Sequence, residues 1–159
     1  VVNSFSKYYG MTGWRIGWLI LPQDIVRPVE RLAQNFFISA PLLSQVGALA
    51  AFDATAELNE RRDAYARNRA RLMEALPAMG FDHFAPPDGA FYVYCDVGRW
   101  TNDSLGFASA MLAETGVAAT PGVDFDPEQG NRYLRFSFAG PEKDVEDAIT
   151  ALRTWLKHR

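Results

Sequence analysis

Residues 4–18 read Ser4-Phe5-Ser6-Lys7-Tyr8-Tyr9-Gly10-Met11-Thr12-Gly13-Trp14-Arg15-Ile16-Gly17-Trp18. Residues 1–6 have the pattern of a strand, and Gly10, Thr12 and Gly13 are loop residues. Lys7 thus stands at a strand end, before a glycine-containing loop. Beside Tyr8, Tyr9 and Trp14 it is expected to be partly desolvated, which makes a lysine amine a nucleophile able to form a Schiff base. Ser4 and Ser6 share one strand face by period-two alternation. Arg15 follows past the loop. Hydroxyls, loop amides and an arginine together can hold a phosphate dianion. Taken singly, either cation reads better as an ordinary surface residue near a turn, because surface Lys and Arg are common.

Outward from this stretch, 14–21 is an apolar run stopped by Pro22 and is expected to be a second strand. Asp24 is placed to N-cap a helix over 25–35. Residues 36–40 are expected to be extended or loop, and Pro41 suits the first turn of a helix running to about Asp53. The longest helical pattern is 57–79, where Leu58, Tyr65, Leu72 and Met79 recur every seven residues. Gly80 closes it. Glu57–Arg61 and Asp63–Arg67 stand in the favourable i,i+4 order. Arg61, Arg62, Arg67, Arg69 and Arg71 read as a solvated face balanced by nearby acids, not as a basic binding helix.

After Pro86-Pro87 the period changes to two. Phe91, Val93, Cys95 and Val97 alternate with Tyr92, Tyr94 and Asp96, which predicts a strand. A helix over 103–115 ends at Gly116. Short strands are expected over 117–120 and 133–139. In the last helix Val145, Ala148, Ile149, Leu152, Trp155 and Leu156 form one apolar stripe. The order predicts an α/β or α+β fold, with the long helix connecting two structural parts.

The 159 residues suit one ordinary domain, and 48% apolar with 22% charged residues is normal for a globular chain. A net charge of −3 argues against a general nucleic-acid binder. No apolar run reaches the roughly 20 residues of a membrane span. The single cysteine, Cys95, rules out an internal disulfide and points to a reducing, cytoplasmic compartment. Cys95 itself falls on the apolar strand face and reads as a core residue. His83 and His158 lack partners at metal-ligand spacing, so no metal is expected. Asp124 and Asp126 read as turn residues.

The combination in residues 4–18 resembles the cofactor-lysine motif of class I/II aminotransferases, pyridoxal-phosphate (PLP) enzymes of fold type I. That motif runs Ser or Gly, an apolar residue, a small residue, lysine, a glycine-bearing loop, then Arg-apolar-Gly, and every position is filled. Other segments are similar to the same family: 35–41 followed by Ser44-Gln45, Asp88-Gly89-Ala90-Phe91-Tyr92, residues 116–126, and 132–139. The resemblance implies that Lys7 carries the cofactor PLP and then acts as general acid–base, and that Ser4 and Arg15 bind the cofactor phosphate. It implies that Arg135 grips the substrate carboxylate. By alternation Arg135 faces away from Leu134, Phe136 and Phe138, and an arginine fork suits bidentate binding of a carboxylate. Asn35 and Tyr92 are weaker candidates, better read as packing or capping residues.

The resemblance further implies amino-acid and 2-oxo-acid substrates and a homodimer. It assigns residues 1–56 to a remnant of the large cofactor-binding domain, 57–80 to a connecting helix and 81–159 to the C-terminal small domain. Family members are longer, and their upstream part supplies further cofactor contacts. The 159 residues alone are therefore expected to have little transaminase activity, and strands 1–6 and 14–21 to leave apolar edges open. Two other readings share the same residues: a PLP lyase or synthase, and the aminotransferase-like, ligand-sensing domain of a transcription regulator. No arginine occurs in 35–41, where dicarboxylate-specific relatives place one, which disfavours a strictly aspartate-specific enzyme.

Overall fold

In the computed structural model, which describes residues 1–159, the chain divides into two units, Val1–Arg62 and Asp63–Arg159. In the first, β1 (Val2–Ser4) and β2 (Gly17–Leu19) pair antiparallel, Asn3 opposite Trp18. Two helices follow, α1 (Gln23–Phe36) and α2 (Leu42–Ala51), and then the start of α3 (Thr55–Ala78). Phe5, Met11 and Ala48 are buried together, with Tyr9, Ile16, Trp18 and Ala51 against them. Phe5 is the hub, with its ring 4.6 Å from Tyr9, 4.9 Å from Trp18 and 5.5 Å from Phe52.

Several boundaries differ from expectation. The second strand begins only at Gly17, because Thr12–Trp14 closes a 3-10 turn and Arg15 then takes a left-handed conformation. Asp24 lies within the first turn of α1, where its charge favours the dipole; the N-cap position is Pro22, which offers no side-chain oxygen. Pro41 likewise stands at the N-cap of α2 rather than inside it. The apolar residues of this unit exceed what its own packing covers. Phe36, Ile38, Leu42 and Leu43 are each more than 70% exposed.

In the second unit β3 (Tyr92–Asp96), β4 (Thr120–Pro121) and β5 (Tyr133–Ser137) form an antiparallel sheet in the order β3-β5-β4. The expected strand over 117–120 is thus shifted and shortened. α4 (Ser104–Thr115) is capped by the Asp103 carboxylate, which accepts from Gly106 N–H at 2.9 Å. The final helix, α5, spans Glu142–Leu156. One sheet face is core. Val93, Cys95, Val97, Leu134, Phe136 and Phe138 are buried against Leu72 and Leu76 of α3, Met111 of α4 and Leu152 of α5. Period two makes this inevitable: once Leu134 and Phe136 point in, Tyr133, Arg135 and Ser137 must point out. Burial pushes the Cys95 thiol up to about 12, so it behaves as a small apolar residue.

The core also holds Asn68, fully buried, whose amide donates to the carbonyls of Phe138 and Gly140 at 3.1 and 2.9 Å. Arg67 and Arg71 of the same helix reach Glu142 at 2.7 and 2.8 Å. Arg67, expected to stand in an i,i+4 pair on its own helix, thus has a tertiary partner on α5. The chain beyond β5 is tied to α3 by charge-assisted and amide hydrogen bonds.

Candidate functional site

Lys7 sits where β1 passes into the loop, and the loop is pinned on both sides of it. Phe5 N–H donates to Ile16 O and Met11 N–H to Phe5 O, each at 3.1 Å. Gly10 N–H donates to Lys7 O at 3.0 Å, closing a tight turn. The Tyr8 hydroxyl donates to Asn59 Oδ1 on α3 at 2.8 Å. Lys7 is nevertheless exposed, against the expectation of desolvation. The reason is local: β1 and β2 form only a two-stranded ribbon, and Tyr8 and Trp14 are themselves 41% and 47% exposed.

Ser4, Ser6, Thr12 and Arg15 form one connected set. The Ser4 hydroxyl donates to Ser6 Oγ at 2.8 Å and accepts Ser6 N–H at 3.0 Å. Thr12 Oγ1 donates to Ser6 O at 2.6 Å, and Arg15 Nη1 donates to Thr12 O at 2.9 Å. Two paired hydroxyls need only one proton between them, so the other remains for an outside acceptor. Residues 1–23 contain two cationic side chains, Lys7 and Arg15, and no acid. Hydroxyl donors beside a guanidinium fit a phosphate dianion. Period-two alternation placed Ser6 beside Ser4 in the sequence, whereas Thr12 read there only as a loop residue and nothing local tied it to Ser6.

Backbone strain falls in the same places. Arg15, Ile38 and Ala90 have φ of 52°, 67° and 56°. For non-glycine residues this region costs about 1–2 kcal/mol each, and such strain concentrates at functional sites. Each of the three lies in a segment that the sequence marked, respectively the lysine loop, 35–41 and Asp88–Tyr92. Asn35 itself is exposed on α1, its amide donating to Arg31 O at 2.6 Å, which is a helix-internal role.

Arg135 belongs to the second unit. It lies opposite Tyr94 on β3 and Thr120 on β4, at the centre of the sheet's outer face. Its guanidinium carbon is 4.1 Å from the Tyr92 ring centroid and 4.2 Å from that of Phe125. Nη2 donates to Thr120 Oγ1 at 3.3 Å, while the buried Nε has no acceptor in the chain. A buried donor without a partner costs about 1–3 kcal/mol. No carboxylate of the chain is paired with Arg135, whereas its neighbour Arg132 is taken up by Asp96 at 2.7 Å. Phe125 and Thr120 are contacts the sequence did not single out. Both lie in the 116–126 segment, but only the fold brings them to β5.

The Asp96–Arg132 pair has a measurable consequence. Burial pushes the Asp96 carboxyl up, but the Gly98 N–H and the Arg132 fork outweigh it and hold the group below the usual carboxylate range. A carboxyl lowered by folding stabilises the protein above its unfolded value of about 3.9, and this is lost as pH falls through the folded value. Asp96→Asn should therefore be less stable than the parent near neutrality. The difference in melting temperature should close below about pH 4; a gap that stays constant from pH 7 to 3 contradicts this account.

The family model for "Aminotransferase class I and II" matches residues 1–152. The chain belongs to the class I and II aminotransferases. It is 52% identical over 98% of its length to "Valine--pyruvate aminotransferase" of Mycobacterium tuberculosis, covering 41% of that protein. It is 35% identical to "(5-formylfuran-3-yl)methyl phosphate transaminase" of Methanocaldococcus jannaschii, again over 98% of this chain and 41% of the relative. A crystal structure of an aminotransferase from Mycobacterium tuberculosis superposes with a TM-score of 0.97 at 52% identity, covering 100% of this chain and 42% of that one. The chain thus spans about two-fifths of the length of the curated relatives it matches. No helix is long and apolar enough to cross a membrane.

Proposed function

We propose that this chain carries the cofactor lysine and the carboxylate-binding arginine of a PLP-dependent aminotransferase. The whole protein then moves an amino group between an amino acid and a 2-oxo acid. Residues 1–56 are assigned to the large domain, 57–80 to the connection and 81–159 to the small domain. The observation that carries the reading is Arg135: a fork held on the outer sheet face, with a buried Nε–H that no group of the chain accepts. A substrate carboxylate is the natural acceptor.

The loop around Lys7 fits the cofactor by its donor set. Ser4 and Arg15, with Ser6 beside Ser4, hold the phosphate. Bound PLP supplies an electron-withdrawing ring that stores negative charge drawn from the substrate. The Lys7 amine stands at a pinned turn and moves the proton at the substrate Cα. Arg135 fixes the carboxylate, so the direction of that carbon is set before the proton moves.

The exposed apolar residues of the first unit, Phe36, Ile38, Leu42 and Leu43, support a homodimer. The buried free thiol of Cys95 is compatible with a cytoplasmic location. The name of the Mycobacterium tuberculosis relative and the lack of an arginine in 35–41 make valine with pyruvate the first pair to test. The protein that contains this chain, supplied with PLP, should convert that pair faster than aspartate with pyruvate. Absence of amino transfer with every amino-acid and 2-oxo-acid pair, in protein that has bound PLP, overturns the proposal.

A further inference from the structure

We propose that Tyr92 and Phe125 are positioning residues that force the substrate carboxylate to meet Arg135 edge-on. The inference rests on Arg135 as the carboxylate-binding group and goes beyond it to how the fork is presented.

A guanidinium is flat, with two π faces and a rim of N–H donors. The Arg135 guanidinium carbon lies over the Tyr92 ring at 4.1 Å and over the Phe125 ring at 4.2 Å, and in this proposal the two rings cover its two faces. An anion cannot stack on a covered face, so it can approach only within the plane of the fork. Thr120 Oγ1 accepts a hydrogen bond from Nη2 at 3.3 Å, which fixes the rotation of that plane. The remaining rim donors are then aimed, and a carboxylate that reaches them must lie coplanar with the fork. That is the geometry of a bidentate pair.

The two rings are held in different ways. Tyr92 is on β3, on the same outward face as Arg135, and its register opposite Ser137 is set by the ladder. Phe125 follows the 3-10 turn Gly122–Asp124, and its N–H donates to Gly122 O at 2.9 Å. That turn is locked by close packing. A Cβ on Gly122 would lie 2.5 Å from Gly130 O, and one on Gly130 would lie 2.4 Å from Gly122 O. Two glycines are therefore required there for the backbones to pass, and Phe125 is carried to the fork as a consequence. Phe125 is 50% exposed, although burial against other apolar groups would have been the ordinary use of a phenylalanine. Its ring lies against the Arg135 cation.

Leucine keeps most of the bulk of either ring and removes the π face. In the full-length protein, Phe125→Leu and Tyr92→Leu should each raise KM for the amino acid roughly tenfold, with kcat falling far less. KM for the corresponding amino-acid amide, which has no carboxylate to orient, should hardly move. Phe125→Tyr, which restores a π face, should return KM to within about threefold of the parent. A general loss of structure would instead lower kcat and affect acid and amide alike, and that result overturns the proposal. So does an unchanged KM in both leucine variants. Arg135→Lys measured in parallel separates the two ideas. If it leaves KM for the acid unchanged, Arg135 does not bind the carboxylate and the underlying reading fails. If it raises KM while the leucine variants do not, only the clamp is wrong.

Discussion

Lys7→Ala is expected to lower turnover of the full-length protein by roughly 10³-fold or more, since it removes the amine to which we assign both the covalent and the proton-transfer role. The chain has three lysines, Lys7, Lys143 and Lys157, so the alternatives are few. Lys143 is exposed on α5 and paired with Asp147, and Lys157 follows the end of that helix. Neither has the pinned turn that surrounds Lys7. Lys7→Arg is the sharper variant. It keeps the positive charge at this position, but a guanidinium is protonated at all working pH and is neither a useful base nor a nucleophile. It should therefore fail as badly as alanine while still retaining phosphate affinity. The measurement is steady-state transamination, together with borohydride reduction of the loaded protein and mass mapping of the labelled peptide. Label on a peptide without Lys7, or turnover within tenfold of the parent in either variant, contradicts the assignment.

Arg135→Leu is expected to cut kcat/KM for amino acids by about 10²-fold or more, the scale of losing one partner of a buried, charge-assisted pair. Arg135→Lys should recover only a small part. An ammonium keeps the charge but has no planar fork to fill the space between Tyr92 and Phe125, and it offers point rather than bidentate contact. Stability should respond oppositely. The arginine leaves a buried Nε without a partner in the free chain, so leucine should be nearly neutral or slightly stabilising in thermal unfolding. Activity loss without stability loss is thus the signature expected. Arg135→Lys with kcat/KM within twofold of the parent contradicts the role.

The sheet and helices were legible because their signals are local. Val93, Cys95 and Val97 alternate with outward residues, and all three are fully buried. Leu152, Trp155 and Leu156 fall on one stripe, and all are buried. Such periods depend only on neighbours two to four residues away, which the chain itself displays. Where expectation fell short, distant groups decide the outcome. Arg67 reaches Glu142 of α5, and the strand expected over 117–120 pairs with β5 only over Thr120–Pro121.

The amino-acid order by itself determined the family, the lysine loop and the outward direction of Arg135, because these rest on contiguous residue types and on a two-residue alternation. The tertiary structure decided the surroundings of those residues. It left Lys7 exposed on a two-stranded ribbon, linked Thr12 back to Ser6, and brought the Tyr92 and Phe125 rings to 4.1 and 4.2 Å from the Arg135 guanidinium carbon. The physical reason is that a ring clamp needs three side chains from separate elements at about 4 Å. Only strand register and a glycine-tight crossing can set that distance, and neither is written in any single stretch of the chain.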